Sequence, residues 1–396
     1  MDFILAFQQR PKHHGRSRIG RTLVLIASLL PTSLLVTPIG TSLVLAQPSG
    51  PLDISQELQS IQERQKVPGL IAALVIGDRI VAQGVCGERK AGSGIPLTLD
   101  DKLHLGSCTK AMTATMIATL VAEEQLTWKT SPTDVWRTLG RSLHADFKDV
   151  TKEVLLGHRS GLSKDAQWWD LKGKTPRAQR AQLVREVFSK EAEGEPGQYL
   201  YSNLGYAMAG AMVERLTGKG WQELMKERLF DPLGMESAGF GPPSQNKATD
   251  QPWGHRIVAD SLEAVQIDNA PSLGPAGTVH MSIADWAKFA SLHLKAHPQR
   301  ADVLTDEDIE AIHQPFPGSK DPAYGFGWIT TRRAWGGGTV LTHTGSNTTW
   351  HATIWLAPQK NMALLAVTNT GAENAHQTCD ETIVKLLQVW RAGAWR

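Results

Sequence analysis

Ser107-Cys108-Thr109-Lys110-Ala111-Met112-Thr113-Ala114-Thr115-Met116-Ile117-Ala118-Thr119-Leu120 is the stretch on which the reading of this chain turns. Ala111, Met112, Met116, Ile117 and Leu120 read as a buried helix, and Ser107 and Lys110, three apart, share one face a turn apart. An amine so placed would accept a proton from a hydroxyl that is inert at its own pKa. The helix N-terminus would also gather backbone N–H groups around the serine oxygen. Taken alone, the segment equally describes an N-cap serine with an incidental lysine. A second Ser-x-x-Lys, Ser244 to Lys247, follows Gly241-Pro242-Pro243 in a loop, where the two side chains have no fixed relation.

Two downstream motifs supply partners. Tyr201-Ser202-Asn203 follows the turn signal Glu195-Pro196-Gly197, which would hold the tyrosine on a constrained loop. A phenol becomes a usable base only if a cation such as Lys110 depresses its pKa, and Asn203 would orient Lys110 or bind a substrate carbonyl. A core tyrosine with a capping asparagine is the alternative. His343-Thr344-Gly345 ends a short strand, and the glycine would let a substrate lie along the strand edge. The ordered set serine, tyrosine, histidine is far more specific than any one member. It points to acyl transfer.

Outward from these motifs the chain divides by pattern. Gln47 to Pro51 reads as a linker and Ile54 to Gln65 as an amphipathic helix. Leu70–Ile76 and Arg79–Val85 flank Gly77-Asp78 as a hairpin. Thr339–Thr342, Trp350–Leu356 and Met362–Val367 are again strand-like, and Glu373–Trp390 closes as a helix. From Leu105 to about His313 helical periodicity dominates. The expected class is α+β: an antiparallel sheet built from both ends (52–104 and 315–396) and flanked by helices, with a mostly helical lobe (105–314) inserted. The chemistry would lie at the seam between lobes.

The net charge of +2 is carried by the first residues: up to Ala46 there are five basic side chains against one acidic, leaving −2 for the remainder. A basic stretch, an apolar run from Leu23 and Val44-Leu45-Ala46 read as a signal peptide over 1–46, with 47–396 the mature domain in the periplasm or secreted. An uncleaved anchor, the only expected membrane contact, is the alternative. Without a basic cluster and interleaved aromatics, no nucleic-acid partner is suggested. The three cysteines, Cys86, Cys108 and Cys379, allow at most one bridge and lack metal-ligand spacing. His293 and His297 read as charges near a helix C-terminus rather than as zinc ligands. Trp168, Trp169 and Trp350 are candidates to line an apolar acyl pocket. Most tryptophans pack in the core.

These motifs together resemble the serine β-lactamase and penicillin-binding-protein superfamily, in its class C-like branch of carboxypeptidases, D-aminopeptidases and esterases. The similarity runs from about Leu52 to the C-terminus and includes Leu155 to Leu162, Asp231-Pro232-Leu233-Gly234-Met235, Pro275-Ala276-Gly277 and Tyr324 to Trp328. It implies that Ser107 is acylated, that Lys110 and Tyr201 share base and acid roles, and that Asn203 contacts Lys110 and the substrate. It further implies that His343, Thr344, Gly345 and Ser346 bind substrate, with the N–H groups of Ser107 and Ser346 as oxyanion hole. No metal or organic cofactor is implied; the partner is a small-molecule or peptide substrate. Two departures stand out. Histidine replaces the lysine usual in class C β-lactamases at 343, and Gly157-His158-Arg159 replaces a more usual Thr-His-Thr.

Overall fold

Leu70, Ala72 and Leu74 face one way from a single strand, Ile71, Ala73 and Val75 face the other, and both sets are fully buried. A strand covered on both faces reads as an unbroken apolar run, which is why this segment stood out in the sequence. The same alternation recurs in Met362–Thr368, where Met362, Leu364 and Ala366 join one buried cluster and Ala363, Leu365 and Val367 the other. Helices must therefore cover the sheet on both sides.

The computed structural model describes residues 50–320 and 322–396. The segment to Ala46, read above as an export signal, lies outside the described residues. In chain order the elements are β1 (Leu52–Asp53), α1 (Ser55–Gln65), β2 (Gly69–Ile76), β3 (Arg79–Gly87), β4 (Leu103–His104) and α2 (Thr109–Ala122). There follow α3 (Pro176–Phe188), α4 (Asn203–Thr217), β5 (Gly239–Phe240), β6 (Gly254–Val258), β7 (Ser261–Val265), β8 (Val279–Met281), α5 (Ile283–His293) and α6 (Asp306–His313). The last are β9 (Ala323–Tyr324), β10 (Ile329–Arg333), β11 (Gly338–Ser346), β12 (His351–Ala357), β13 (Met362–Thr368) and α7 (Ala375–Ala392).

The class is α+β. One sheet runs in the order β1-β3-β2-β13-β12-β11-β10-β9, so strands from both ends of the described chain meet at the β2–β13 pair. Helices α1 and α7 cover one face around Leu58, Ile61, Cys379, Ile383 and Leu386. The other face meets the larger core built on α2, whose residues from Thr109 to Leu120 are all buried. A helix apolar all round belongs inside a protein. Its threonine hydroxyls are satisfied: Thr115 donates to the Ala111 carbonyl at 2.7 Å and Thr119 to Met116 at 2.8 Å within the helix, while Thr113 donates to the Pro275 carbonyl at 2.8 Å.

Two expectations need correction and one gains detail. The sheet is not wholly antiparallel, because β1 pairs parallel to β3. Within the mostly helical inserted region there are also short strands: β8 and β5 form a small sheet with β4, which just precedes the region, and β6 and β7 a hairpin. Strands of two to five residues are too short to display a period. Finally, His293 is indeed the last residue of α5, but neither it nor His297 stands there as a charge. His293 is fully buried between Thr115 (3.1 Å) and His313 (2.9 Å), and burial holds it well below 6.5. His297 lies beyond the end of α5, and burial lowers it too.

The cysteines are free thiols. Trp350 is core at 1 % exposure, Trp168 is buried and donates to Asp165 at 3.2 Å, and Trp169 is exposed.

One buried ion pair ties the helical region together. Arg180 on α3 meets Glu214 on α4 through two contacts, 2.5 and 3.1 Å, with both side chains at most 2 % exposed. The guanidinium also donates to the carbonyls of Pro271 and Ser272, and Glu214 accepts from the Trp221 N–H. A buried pair so fully satisfied is costly to break from one side. Arg180→Met should destabilise by about 3–5 kcal/mol, the typical cost of orphaning a buried charge. Arg180→Met/Glu214→Leu should lose much less. Urea unfolding monitored by circular dichroism checks both.

Candidate active site

Ser107 stands in a 3₁₀ turn, Gly106–Cys108, that runs directly into α2. Gly106 has φ +49°, a left-handed conformation that favours glycine. One turn on, Lys110 is completely buried. Its Nζ lies 3.0 Å from Ser107 Oγ, 2.7 Å from Asn203 Oδ1 and 2.8 Å from the Ala276 carbonyl. Burial is the main force on this amine and lowers its pKa from 10.5 to about 7; the Asp165 carboxylate opposes the shift.

Tyr201 and Asn203 reach the amine from a loop that ends as α4 begins. Ser202 is the N-cap, its hydroxyl accepting from the Gly205 N–H at 2.9 Å, so the capping residue is the serine and not the asparagine. Asn203, the first residue of α4, is left free to turn its amide inward. Its Nδ2 donates to Asp165 Oδ1 at 2.9 Å, which commits Oδ1 to Lys110. The Tyr201 ring lies 4.8 Å from Lys110 Nζ. Burial pushes its phenol above 10, partly countered by a hydrogen bond with Ser107.

An aromatic cluster that sequence reasoning missed supports the tyrosine. His158 stacks against Tyr201 at 4.4 Å and Tyr324 at 4.5 Å, and its Nδ1 accepts from the Ser202 N–H at 3.0 Å. That bond needs an unprotonated Nδ1, and burial holds the ring well below 6.5. The departure Gly157-His158-Arg159 thereby acquires a structural account. Gly157 packs where a Cβ would meet Phe316 at 2.8 Å, and Arg159 donates to the Gly197 carbonyl and Ser319.

His343 is also an uncharged member of this cluster. It is 3 % exposed; Nδ1 contacts the Thr344 carbonyl at 2.6 Å, so it carries the proton, and Nε2 accepts from the Tyr324 hydroxyl at 3.0 Å. Burial drives its pKa to about 3. Thr344 is half-buried and Ser346 exposed, at the end of β11 that extends beyond its β10 partner, whose pairing stops at Thr342.

Gly345 turns out to serve a different approach from the one expected. A Cβ there would lie 2.0 Å from the Leu105 carbonyl oxygen and 2.7 Å from Ser107 N, while a Cβ on Gly106 would lie 2.3 Å from Ser346 N. The two glycines let the Ser107 turn and the end of β11 touch backbone to backbone. Each backbone nitrogen, of Ser107 and of Ser346, is thereby packed against the glycine of the opposite segment. The structure thus brings together Ser107, Lys110, Tyr201, Asn203, Gly345 and Ser346, with His343 behind Tyr201 at 6.5 Å between rings.

A fully buried lysine flanked by a half-buried serine and a half-buried tyrosine thus sits between the sheet and the helical region. The family model described as Beta-lactamase matches residues 54–388. The chain belongs to the Beta-lactamase family. Penicillin-binding protein 4 of Amycolatopsis lactamdurans is 26 % identical over 343 residues, spanning 82 % of this chain and 86 % of that protein. Unguisins hydrolase ungD' of Aspergillus campestris (strain IBT 28561) is 28 % identical over 338 residues, 80 % of this chain but only 61 % of the hydrolase. This chain therefore spans about three-fifths of that relative's length. Among solved structures, the octameric penicillin-binding protein homologue from Pyrococcus abyssi superposes with a TM-score of 0.67, at 24 % identity, over 80 % of this chain and 73 % of that one. This last likeness is one of fold.

The depressed Lys110 pKa has a thermodynamic sign. Between about 7 and 10.5 the unfolded chain holds a proton that the folded one lacks, so stability rises with pH across that window. The cost of burying the charge is greatest below pH 7. Lys110→Met should therefore gain stability relative to the unsubstituted protein at pH 6, and that advantage should shrink by a few kcal/mol by pH 10. Chemical denaturation at the two pH values measures the difference.

Proposed function

We propose that this chain is an exported serine hydrolase that cleaves an amide or ester through an acyl-enzyme on Ser107, in the manner of a D-Ala-D-Ala peptidase. One observation carries the reading. Lys110 Nζ has three polar neighbours, of which two, Asn203 Oδ1 and the Ala276 carbonyl, can only accept. A neutral amine has two N–H bonds for those acceptors and one lone pair left, and the remaining neighbour is Ser107 Oγ at 3.0 Å. With its pKa near 7 the amine is substantially neutral at physiological pH.

On this reading the Ser107 hydroxyl proton passes to Lys110 as Oγ attacks the substrate carbonyl carbon. The oxyanion is received by the N–H groups of Ser107 and Ser346, each such donor being worth about 10²–10³ in rate. Tyr201, whose raised pKa keeps it protonated, gives its proton to the leaving group, and Lys110 returns a proton to the phenolate. Water then releases the acyl group by the reverse sequence. Thr344 and Ser346 would line the substrate path. His343 contributes position and not charge, so it offers a substrate carboxylate no fixed cation.

The membership in the family and the hydrolase among the relatives support this reading. Its test is mass spectrometry of the protein incubated with a penicillin and, separately, with a p-nitrophenyl ester. An adduct on Ser107 with turnover is expected, and Ser107→Ala should abolish both. A stable penicillin adduct without turnover would instead make the chain a non-hydrolysing sensor, and turnover of esters alone would make it a carboxylesterase. No adduct and no turnover would overturn the assignment.

The base assignment also predicts a pH profile. kcat/KM should rise with pH through about 7 as Lys110 loses its proton, falling roughly tenfold for each unit below that point. A flat profile from pH 5 to 8 would exclude Lys110 as the base.

A further inference from the structure

Resting on that reading, we infer that Asp268 is a positioning residue that braces the oxyanion hole from behind. It lies in the loop after β7, is 4 % exposed at its side chain and belongs to none of the motifs above. Its Oδ1 collects three contacts from separate parts of the site. His104 Nε2 lies 2.8 Å away, Asn347 Nδ2 donates at 3.1 Å and the Asn269 N–H at 2.6 Å.

Each contact leads directly to the reacting atoms. The other nitrogen of His104, Nδ1, accepts from the Gly106 N–H at 3.1 Å, so the ring holds the turn that carries Ser107. With Nδ1 accepting, Nε2 is the ring nitrogen left to face Asp268, in close polar contact and not in an aligned hydrogen bond. Asn347 follows Ser346, and its Oδ1 accepts from the N–H and hydroxyl of Thr349, which pins the turn leaving β11. Asn269 donates from Nδ2 to the Gly277 carbonyl at 2.8 Å, one residue past the Ala276 carbonyl that receives Lys110. One carboxylate oxygen thus fastens the nucleophile turn, the second oxyanion donor and the lysine acceptor to each other.

The nucleophile turn and the Gly277 segment are also tied directly, by the Leu105 N–H to the Val279 carbonyl at 3.0 Å and by Lys110 to Ala276, whereas the turn and the end of β11 meet through the side-chain-free contact of Gly106 with Gly345 and Ser346. Such a contact fixes how close the backbones come but resists sliding poorly, because no side chain interlocks. The Asp268 brace resists that sliding. Its loss should misplace the donors that bind the transition state while leaving substrate affinity nearly intact.

The test uses the whole protein with Asp268→Ala and Asp268→Asn, the second retaining an acceptor oxygen. With a p-nitrophenyl ester, Asp268→Ala should lower kcat about 100-fold with KM within about threefold, and Asp268→Asn should recover most of the loss. Hydrogen–deuterium exchange at the Gly106 amide, read independently of activity, should quicken at least about tenfold in Asp268→Ala and little in Asp268→Asn. A folded Asp268→Ala protein with unchanged kcat, or with unchanged Gly106 exchange, overturns the inference. If the unsubstituted protein forms no Ser107 adduct, the hydrolase reading fails and exchange alone decides the brace. Should Asp268→Ala not fold, Asn347→Ala removes one arm; it should quicken exchange around Ser346 and lower kcat with KM unchanged, and no effect on either overturns the inference.

Discussion

A primary amine with no solvent exposure, on a helix that is itself buried on every side, is the constraint around which the rest of this molecule is arranged. An unpaired ammonium there would cost several kcal/mol, and a protein has two remedies: supply acceptors or give up the proton. Both are used. Asn203 Oδ1 and the Ala276 carbonyl accept from Lys110, and burial brings the pKa to about 7. Each acceptor is itself held in place. Asp165 takes the Asn203 amide nitrogen and so prevents the flip that would set N–H against N–H. The segment leading to Ala276 hangs from the carbonyls of Pro271 and Ser272, which Arg180 grips while paired with Glu214. The buried ion pair in the helical region is thereby connected to the amine through a few backbone atoms.

The second constraint is steric. The turn carrying Ser107 and the end of β11 come from opposite parts of the chain and meet without side chains between them. Any residue larger than glycine at 106 or 345 would push its Cβ into backbone, which cannot yield as a flexible side-chain tip can. Glycine in His343-Thr344-Gly345 was read from the sequence as room for a substrate. The room is taken by the protein's own backbone, and what reaches the exposed strand end is Ser346.

The legible parts of the sequence were those in which a pattern is repeated or contiguous. Leu70–Ile76 and Met362–Val367 could be read as strands because burial on both faces leaves no polar interruption, and α2 because Ala111, Met112, Met116, Ile117 and Leu120 recur at helical spacing with no Gly or Pro between them. Ser107 and Lys110, or Tyr201 and Asn203, are close in sequence, so local geometry relates them before any fold is known. Asp165 and Asp268 carry no such mark, and His158 and Tyr324 stood in noted stretches without any sign of their place in the site. They are ordinary residues of loops and short elements, and their bearing on the site arises from contacts spanning up to 160 positions or more, as between His104 and Asp268. Protonation was equally hidden. His293 read as a charge and His343 stood where lysine is usual, and only their enclosure by His313 and Tyr324 shows them neutral.

Neutrality of the surroundings bears on the proposed chemistry. Lys110 is flanked by the rings of Tyr201 and Tyr206 at 4.8 and 5.5 Å, and behind them stand His158 and Tyr324. A cationic histidine at 158 or 343 would repel the proton that Lys110 must accept from Ser107, whereas an anion closer than Asp165 would hold that proton permanently. Uncharged rings do neither. Their faces attract a cation weakly, and the two carbonyl oxygens already in place need not move when the ammonium forms. The environment that keeps the resting amine near neutrality is therefore also one that can receive a transient positive charge with little rearrangement. An enclosing shell of tyrosines and neutral histidines meets both demands where a shell of ion pairs would meet only one.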